Sequence, residues 1–469
     1  MALPRDRSTR MGTESIGKLL LEFSLPAMLA MFVTASYNIV DSIFIGRLGS
    51  EALAALSVAF PLQMIIGAVG IGTGVGAASL ISRSLGAGDP DRAAQGASQL
   101  VPLALGFSVV AVFVGVFALE PVLILFGATP EIMEPTSDYM FLITVGAVLF
   151  FGIMMLNNVV RAEGNPIFSM KVLILSALIN IALDPLFIFG WGFFPALGVQ
   201  GAAVATLLAK GIGVALLLWY FLTGRSELHF RIDHLVPDFG SIVEIYRIGF
   251  PMMLMQVATN VSLIVANNIL GAFGYVPIAV MGLIIRLQMF AFMPVVGIIQ
   301  GLLPIIGYNF GAGKRPRVRE AMFKAARAGT GFFVLVGGAF FAFPEVFLRI
   351  FSSEPELLAV GERALRIMVL MYPVIAIQMV SLTFFQGIGK GLPSLVLSVL
   401  REFLVYIPLM VLLSSFWGLT GVWAARPVAD AFSLTVALTF LVKEFKRQKI
   451  PLLGDFPDEE APDASMAQD

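Results

Sequence analysis

Apolar residues run along this chain in blocks of about 20, separated by short polar or glycine- and proline-rich breaks; Leu100–Leu119 and Val172–Phe189 are two such blocks. A hydrocarbon core about 30 Å thick takes roughly 20 residues of helix to cross. Lipid offers the backbone no hydrogen-bond partner, so a crossing segment must satisfy its own N–H and C=O groups, which a helix does. A β-barrel would instead show alternating segments of about 10 residues, and none occur. The pattern predicts spans at about 18–45, 52–82, 96–119, 136–160, 167–190, 198–222, 242–270, 277–308, 320–345, 358–387, 392–414 and 418–442. Turn chemistry marks the breaks, as in Gly86-Ala87-Gly88-Asp89-Pro90, Gly164-Asn165-Pro166 and Gly311-Ala312-Gly313-Lys314. The expected fold is an all-α integral membrane protein with twelve transmembrane helices.

Composition agrees with this class. Of 469 residues, 58% are hydrophobic and only 13% charged, about half the charge of a soluble domain. A net charge of −1 gives no basic field that would call for nucleic acid as a partner. There is no cysteine, which excludes disulfides and thiol catalysis. Arg5, Arg7, Arg10 and Lys18 precede a first apolar stretch longer than a signal-peptide core, so a retained first span is expected. Basic residues gather on alternate connections: Arg83 and Arg92, Arg161 and Lys171, Arg225 and Arg231, then Lys314, Arg315, Arg317 and Arg319, and finally Lys390 and Lys443–Lys449. By the positive-inside rule both termini should be cytoplasmic. The segment 224–241 reads as a cytoplasmic linker, and the acidic stretch 446–469 as a disordered tail.

The chain also repeats itself. At an offset of 225 residues, Pro26 aligns with Pro251, Gly46 with Gly271, Gly49 with Gly274, and Leu62-Gln63-Met64 with Leu287-Gln288-Met289. The same register matches Gly72 with Gly297, Gly86-Ala87-Gly88 with Gly311-Ala312-Gly313, and Gly164 with Gly389. Each copy holds six spans, so residues 1–223 and 242–445 form two pseudo-symmetric lobes inserted the same way up. Parallel repeats of this kind are a transporter architecture.

Ionisable groups inside a span are costly and therefore functional candidates. Asp41 shares a face of the first span with Tyr37 and Asn38; Asp184 follows Asn180 by one turn and precedes Pro185, which removes a backbone hydrogen bond. Asn157, Asn158 and Thr206 add uncharged oxygens nearby in sequence order. Two carboxyls with amide and hydroxyl oxygens suit a proton or a hard monovalent cation, and without His or Cys they suit a transition metal poorly. At the 225 offset Asp41 becomes Ala266, so this chemistry is confined to the first half. Gln256, Arg286 and Gln288 are further candidates for a substrate cavity. Lys210, the pair Arg401 and Glu402, and the pair Arg426 and Asp430 are also embedded, the two pairs being expected to neutralise each other or to snorkel. Gly72-Thr73-Gly74-Val75-Gly76 lies inside an apolar span with no preceding strand, so it reads as a helix-packing segment and not a nucleotide loop. His229 and His234, the only histidines, read as surface residues of the linker.

Taken together these residues resemble the multidrug and toxic compound extrusion (MATE) transporters. The resemblance covers roughly residues 15–445. Its carriers are Pro26, Tyr37-Asn38-x-x-Asp41, Gly46-x-x-Gly49, Arg161-Ala162-Glu163-Gly164, Asn180-x-x-x-Asp184-Pro185, Gly198-Val199-x-Gly201 and Phe385-Gln386-Gly387-x-Gly389. It implies a V-shaped pair of six-helix lobes and drug export driven by inward H⁺ or Na⁺. It further implies a cation site at Asp41 and Asp184, with Tyr37, Asn157, Asn180 and Thr206 around it. The branch whose site uses acids inside spans 7 and 10 fits less well, because those spans are acidic only at Glu244 and Glu362.

The expectation is a monomeric, cation-coupled antiporter of the cytoplasmic membrane. It would export amphiphilic, often cationic small molecules and use no cofactor beyond the coupling ion. A lipid-linked oligosaccharide or lipid flippase of the same wider superfamily is the rival. An embedded enzyme is disfavoured because no nucleophile–base or metal constellation is visible.

Overall fold

The computed structural model describes residues 5–192, 194–228 and 231–450. The expected disorder of the acidic tail beyond Ile450, and the surface placement of His229, lie outside these residues. Among the described residues ten helices are long and apolar enough to cross a membrane, and two bent pairs, each taken as one span, bring the number to twelve. Spans 1 to 3 are Ile16–Gly46, Ser50–Gly86 and Pro90–Phe117, and spans 5 to 9 are Pro166–Phe189, Val199–Leu222, Phe239–Gly271, Tyr275–Gly311 and Arg315–Ala342. Spans 11 and 12 are Gly391–Trp417 and Leu419–Arg447. Span 4 is Pro130–Val145 followed by Ala147–Ala162, bent by 51°, and span 10 is Pro355–Met368 followed by Tyr372–Gly387, bent by 49°.

The fourth element of each half is therefore broken, a match that the apolar pattern alone did not reveal. Each break has a local cause. At Gly146 the missing side chain admits Leu207 of span 6 against the backbone. In span 10 the second segment starts at Tyr372-Pro373, and proline lacks the N–H that would continue the preceding turn. Span 11 departs from its counterpart as well: residues Leu400–Tyr406 form a π-helical turn ahead of Pro408. Such widened turns occur mostly as isolated insertions in α-helices.

The two halves meet on the side of the membrane where the first and last described residues, Arg5 and Ile450, lie. Gly72 and Gly76 of span 2 cross Ile245 and Gly249 of span 7 at backbone contact, and a β-carbon on Gly76 would fall on the Ile245 carbonyl. Span 8 crosses span 1 in the same manner, with Gly297 and Gly301 against Met28, Phe23 and Ser24. The glycine run thus serves helix packing. On the other side of the membrane, spans 1, 2, 7 and 8 carry exposed apolar residues such as Ile39, Phe60, Ile264 and Ile285. The lobes are joined at backbone contact at the end where the described residues begin and finish.

Polar contacts reinforce the joined end. Glu244 at the start of span 7 accepts from Arg83 at 2.9 Å and from Arg92 at 2.7 Å. The N-terminal helix Arg5–Thr13 touches both halves. Its Ser8 N–H donates to Glu227 at 3.0 Å, while Asn309 and Lys314 donate to the Met11 and Gly12 carbonyls, each at 2.8 Å. Beside it, in the turn after span 4, Glu163 is buried and accepts from the Ser226 hydroxyl at 2.6 Å and the Glu227 N–H at 3.1 Å. Burial pushes this carboxyl up to about 7, the Ser226 hydrogen bond opposing the shift.

Because the folded-state value lies above the ordinary one of 4.5, the folded protein holds this proton more tightly than the unfolded chain. Its stabilising contribution is complete below pH 4.5 and lost as the pH rises to about 7. Purified wild-type protein should accordingly lose about 1–3 kcal/mol from this group between pH 4.5 and 7.5. Glu163→Gln should flatten that part of the slope in thermal unfolding.

Candidate functional site

Span 1 packs along span 5, and span 5 along span 6. These three helices bring together most of the predicted polar residues. Asp184 is fully buried, and Asn180 one turn earlier donates to it at 3.2 Å. The same amide group reaches the Thr206 hydroxyl of span 6 at 3.4 Å. Asp41 is buried on span 1, and both Tyr37 and Tyr139 lie within electrostatic reach of the two carboxyls. One oxygen each of Asp41, Asp184 and Asn180 is buried without a hydrogen-bond donor among the described residues. Buried oxygens are normally paired. A carboxyl proton or a bound cation would satisfy this set, which holds oxygen donors and no nitrogen or sulfur ligand. Among the described residues no group of three or more His, Cys, Asp or Glu could hold a metal ion.

Asn157 stands apart from this cluster. Its amide donates to the Ser169 carbonyl at 3.2 Å and its oxygen accepts from the Ser169 hydroxyl at 2.5 Å. Ser169 lies on the first turn of span 5, about 16 Å along the helix from Asn180 at 1.5 Å per residue. The side chain is engaged in joining spans 4 and 5, so its family-implied place beside the carboxyls does not hold in this conformation.

A cavity of about 370 Å³ opens beside the cluster, among spans 1, 4, 5, 6 and 8. This volume is within the usual range of small-molecule sites. Tyr37, Asn38, Asn157, Asn158, Asn180 and Thr206 all line it, together with Arg161, Lys210 and Gln300. Gln256, Arg286 and Gln288 do not. Arg286 is exposed on span 8 and has no ion-pair partner among the described residues, which corrects its suggested place in the cavity. The reason is axial: residue 286 shares the face of span 8 that carries Met289, Met293 and Gln300, but it sits about one turn beyond Met289, where the cavity lining on that span ends.

Sequence reading missed the pairing of Tyr139 with Gln63 and the cavity positions of Arg161 and Lys210. Tyr139 of span 4 accepts from Gln63 of span 2 at 2.7 Å, close to the carboxyls. The available signal was an amide inside an apolar span, within the repeated Leu62-Gln63-Met64. Arg161 and Lys210 were visible as charges but not as cavity residues, because nothing in their spacing shows which helix they face.

In the second lobe the two embedded pairs form one network. Glu402 accepts from Arg401 at 2.8 Å and lies 3.2 Å from Arg426, and Asp430 lies 3.7 Å from each arginine. Both acids are fully buried, so they do not snorkel.

Two repeated six-span lobes, joined at one membrane face and enclosing a polar-lined cavity, define a membrane transporter. The MatE family pattern matches residues 26–186 and again 251–444, which is the same 225-residue register as the internal repeat. The chain belongs to this family, the MATE transporters, which are not enzymes. It is similar to the FAD transporter of Shewanella oneidensis, with 30% identity over 88% of this chain and 92% of that protein. It is also similar to the multidrug export protein MepA of Staphylococcus haemolyticus, with 29% identity over 92% of this chain and 95% of that protein. Among solved structures, an outward-facing multidrug resistance MATE family transporter of the MOP superfamily superposes with a TM-score of 0.86. That match has 25% identity and covers 94% of this chain and 99% of the other. A MATE crystal structure in a bent conformation gives a TM-score of 0.88 at 25% identity, covering 94% of this chain and 98% of the other.

Proposed function

We propose that this protein is a cation-coupled antiporter that exports amphiphilic small molecules across the cytoplasmic membrane, with both termini in the cytoplasm. The observation that carries this reading is the set of donor-less oxygens on Asp41, Asp184 and Asn180, buried where span 1 packs on span 5. An H⁺ or Na⁺ entering from the open side would bind there and neutralise two carboxyls that otherwise repel each other. Spans 1 and 5 also form walls of the adjoining cavity. A change in their packing on cation binding would reshape that cavity and release its contents outward. One elementary charge moving down 100 mV supplies about 2.3 kcal/mol, enough for a modest uphill gradient of substrate per ion. Multidrug export by the MepA relatives and FAD transport by the Shewanella protein support small-molecule cargo.

The deciding experiment is substrate efflux from proteoliposomes under a pH gradient and a Na⁺ gradient applied separately. Wild type should respond to one of them, and Asp41→Asn and Asp184→Asn should each lower the driven rate by about ten-fold or more while remaining folded. Undiminished driven export in both variants would remove the carboxyl pair from the mechanism.

A further inference from the structure

The cavity has a charge pattern that export of cationic compounds does not call for. Its charged lining residues are Arg161 and Lys210, both basic; neither Asp41 nor Asp184 lines it. Arg161 donates to the Asn158 side-chain oxygen at 2.6 Å and to the Gln300 side-chain oxygen, both of them neutral amides. The Lys210 ammonium lies 4.4 Å from the centre of the Phe150 ring. Among the described residues, no carboxylate stands within ion-pair distance of either group. The contrast lies within the same molecule, since Arg401 and Arg426 of the second lobe are matched by two buried acids. Both side chains are half-buried, and partly removing a cation from water without a counter-charge is costly. A cation–π contact offsets only about 2 kcal/mol of that.

We propose that the counter-charge arrives with the ligand: the first-lobe cavity binds amphiphiles that carry an anionic group, a phosphate ester or a carboxylate. Lys210, midway along span 6, is the counter-ion. Arg161, in the last turn of span 4, is a second anchor at the end of the cavity nearest the chain termini. The apolar part of the ligand packs on Met154, Met289 and Met293, whose unbranched side chains adapt to varied shapes. The proposal rests on the export reading and narrows its substrate class. It also constrains coupling. Cation and anionic substrate do not compete for charge, so antiport would have to run through the packing of spans 1 and 5.

Riboflavin 5′-phosphate and riboflavin share one ring system and differ by the phosphate. Their binding to the purified full chain in neutral detergent can be followed by flavin fluorescence. Wild type is expected to bind the phosphate ester about ten-fold or more tightly at low salt. The advantage should shrink to within about three-fold in Lys210→Met. It should persist in Lys210→Arg and in Lys171→Met, the latter an exposed lysine outside the cavity. Displacement by dihexanoyl phosphatidate far below the concentration needed with inorganic phosphate would assign the anion to a lipid headgroup; comparable displacement by both would assign it to a soluble substrate. Failure of the phosphate ester to bind more tightly than riboflavin, or an advantage untouched by Lys210→Met, overturns the proposal. Binding is measured without a gradient, so that result leaves the export reading standing. Charge-selective binding with no driven export would instead sink the export reading alone.

Discussion

Glu402→Ala is expected to lower the stability of the purified protein by about 3–5 kcal/mol, the cost of leaving buried charge without its partner. Glu402 is fully buried, and both Arg401 and Arg426 close on it. With it removed, the two guanidinium groups face each other, and only Asp430 remains, at 3.7 Å from each. At 3.7 Å Asp430 stands beyond hydrogen-bond distance of both guanidinium groups, so where it stands it gives them attraction but not the hydrogen bonds that Glu402 supplies. Glu345→Ala supplies the control. Its pairing with Arg349 is exposed, and exposed pairs contribute about 0–1 kcal/mol. Thermal unfolding in detergent should separate the two variants clearly, and equal losses would show that the second-lobe network is not energetically coupled.

Gly76→Ala should impair transport through geometry instead of charge. Its new β-carbon would meet the Ile245 carbonyl and the Gly249 backbone, neither of which can rotate aside as a side chain would. Span 2 and span 7 must then separate where the lobes are joined. Overpacking of this kind costs about 1–3 kcal/mol, enough to shift the balance between joined and separated lobes by about five- to 150-fold. Gradient-driven export should fall accordingly. Spin labels at Lys171 and Lys443, one exposed position on each lobe near the joined end, should report a longer mean distance. The chain has no native cysteine to interfere with the labelling. Gly106→Ala and Gly338→Ala, where a β-carbon meets nothing within 4 Å, should leave both readouts unchanged. An unaltered distance in Gly76→Ala would mean that the crossing is not a determinant of lobe closure.

Much of this architecture could be read from the chain alone, for a definite physical reason. Lipid leaves a crossing segment no option but a helix, and the core thickness sets its length, so each apolar block reports one span. The repeat emerges from comparing the chain with itself, and it required no knowledge of contacts. Spacing along one helix also placed Tyr37 with Asp41 and Asn180 with Asp184, because neighbours one turn apart share a face whatever surrounds them.

What the sequence could not decide is which neighbour each face meets. Arg286 is as embedded along the chain as Lys210, yet one lies about a turn past the end of the first-lobe cavity and the other lines it. Asn157 carries the side chain expected beside the carboxyls, but Ser169 of the adjoining helix takes both ends of it. Gln63 and Tyr139 are far apart in sequence and form one pair. Arg401, Glu402, Arg426 and Asp430 read as two local pairs and fold as one network. Burial in lipid fixes that a residue lies on a helix, whereas the rotation and crossing of that helix come from packing against its neighbours. Glycines such as Gly76 set that crossing, and the tertiary structure alone shows which backbone they admit.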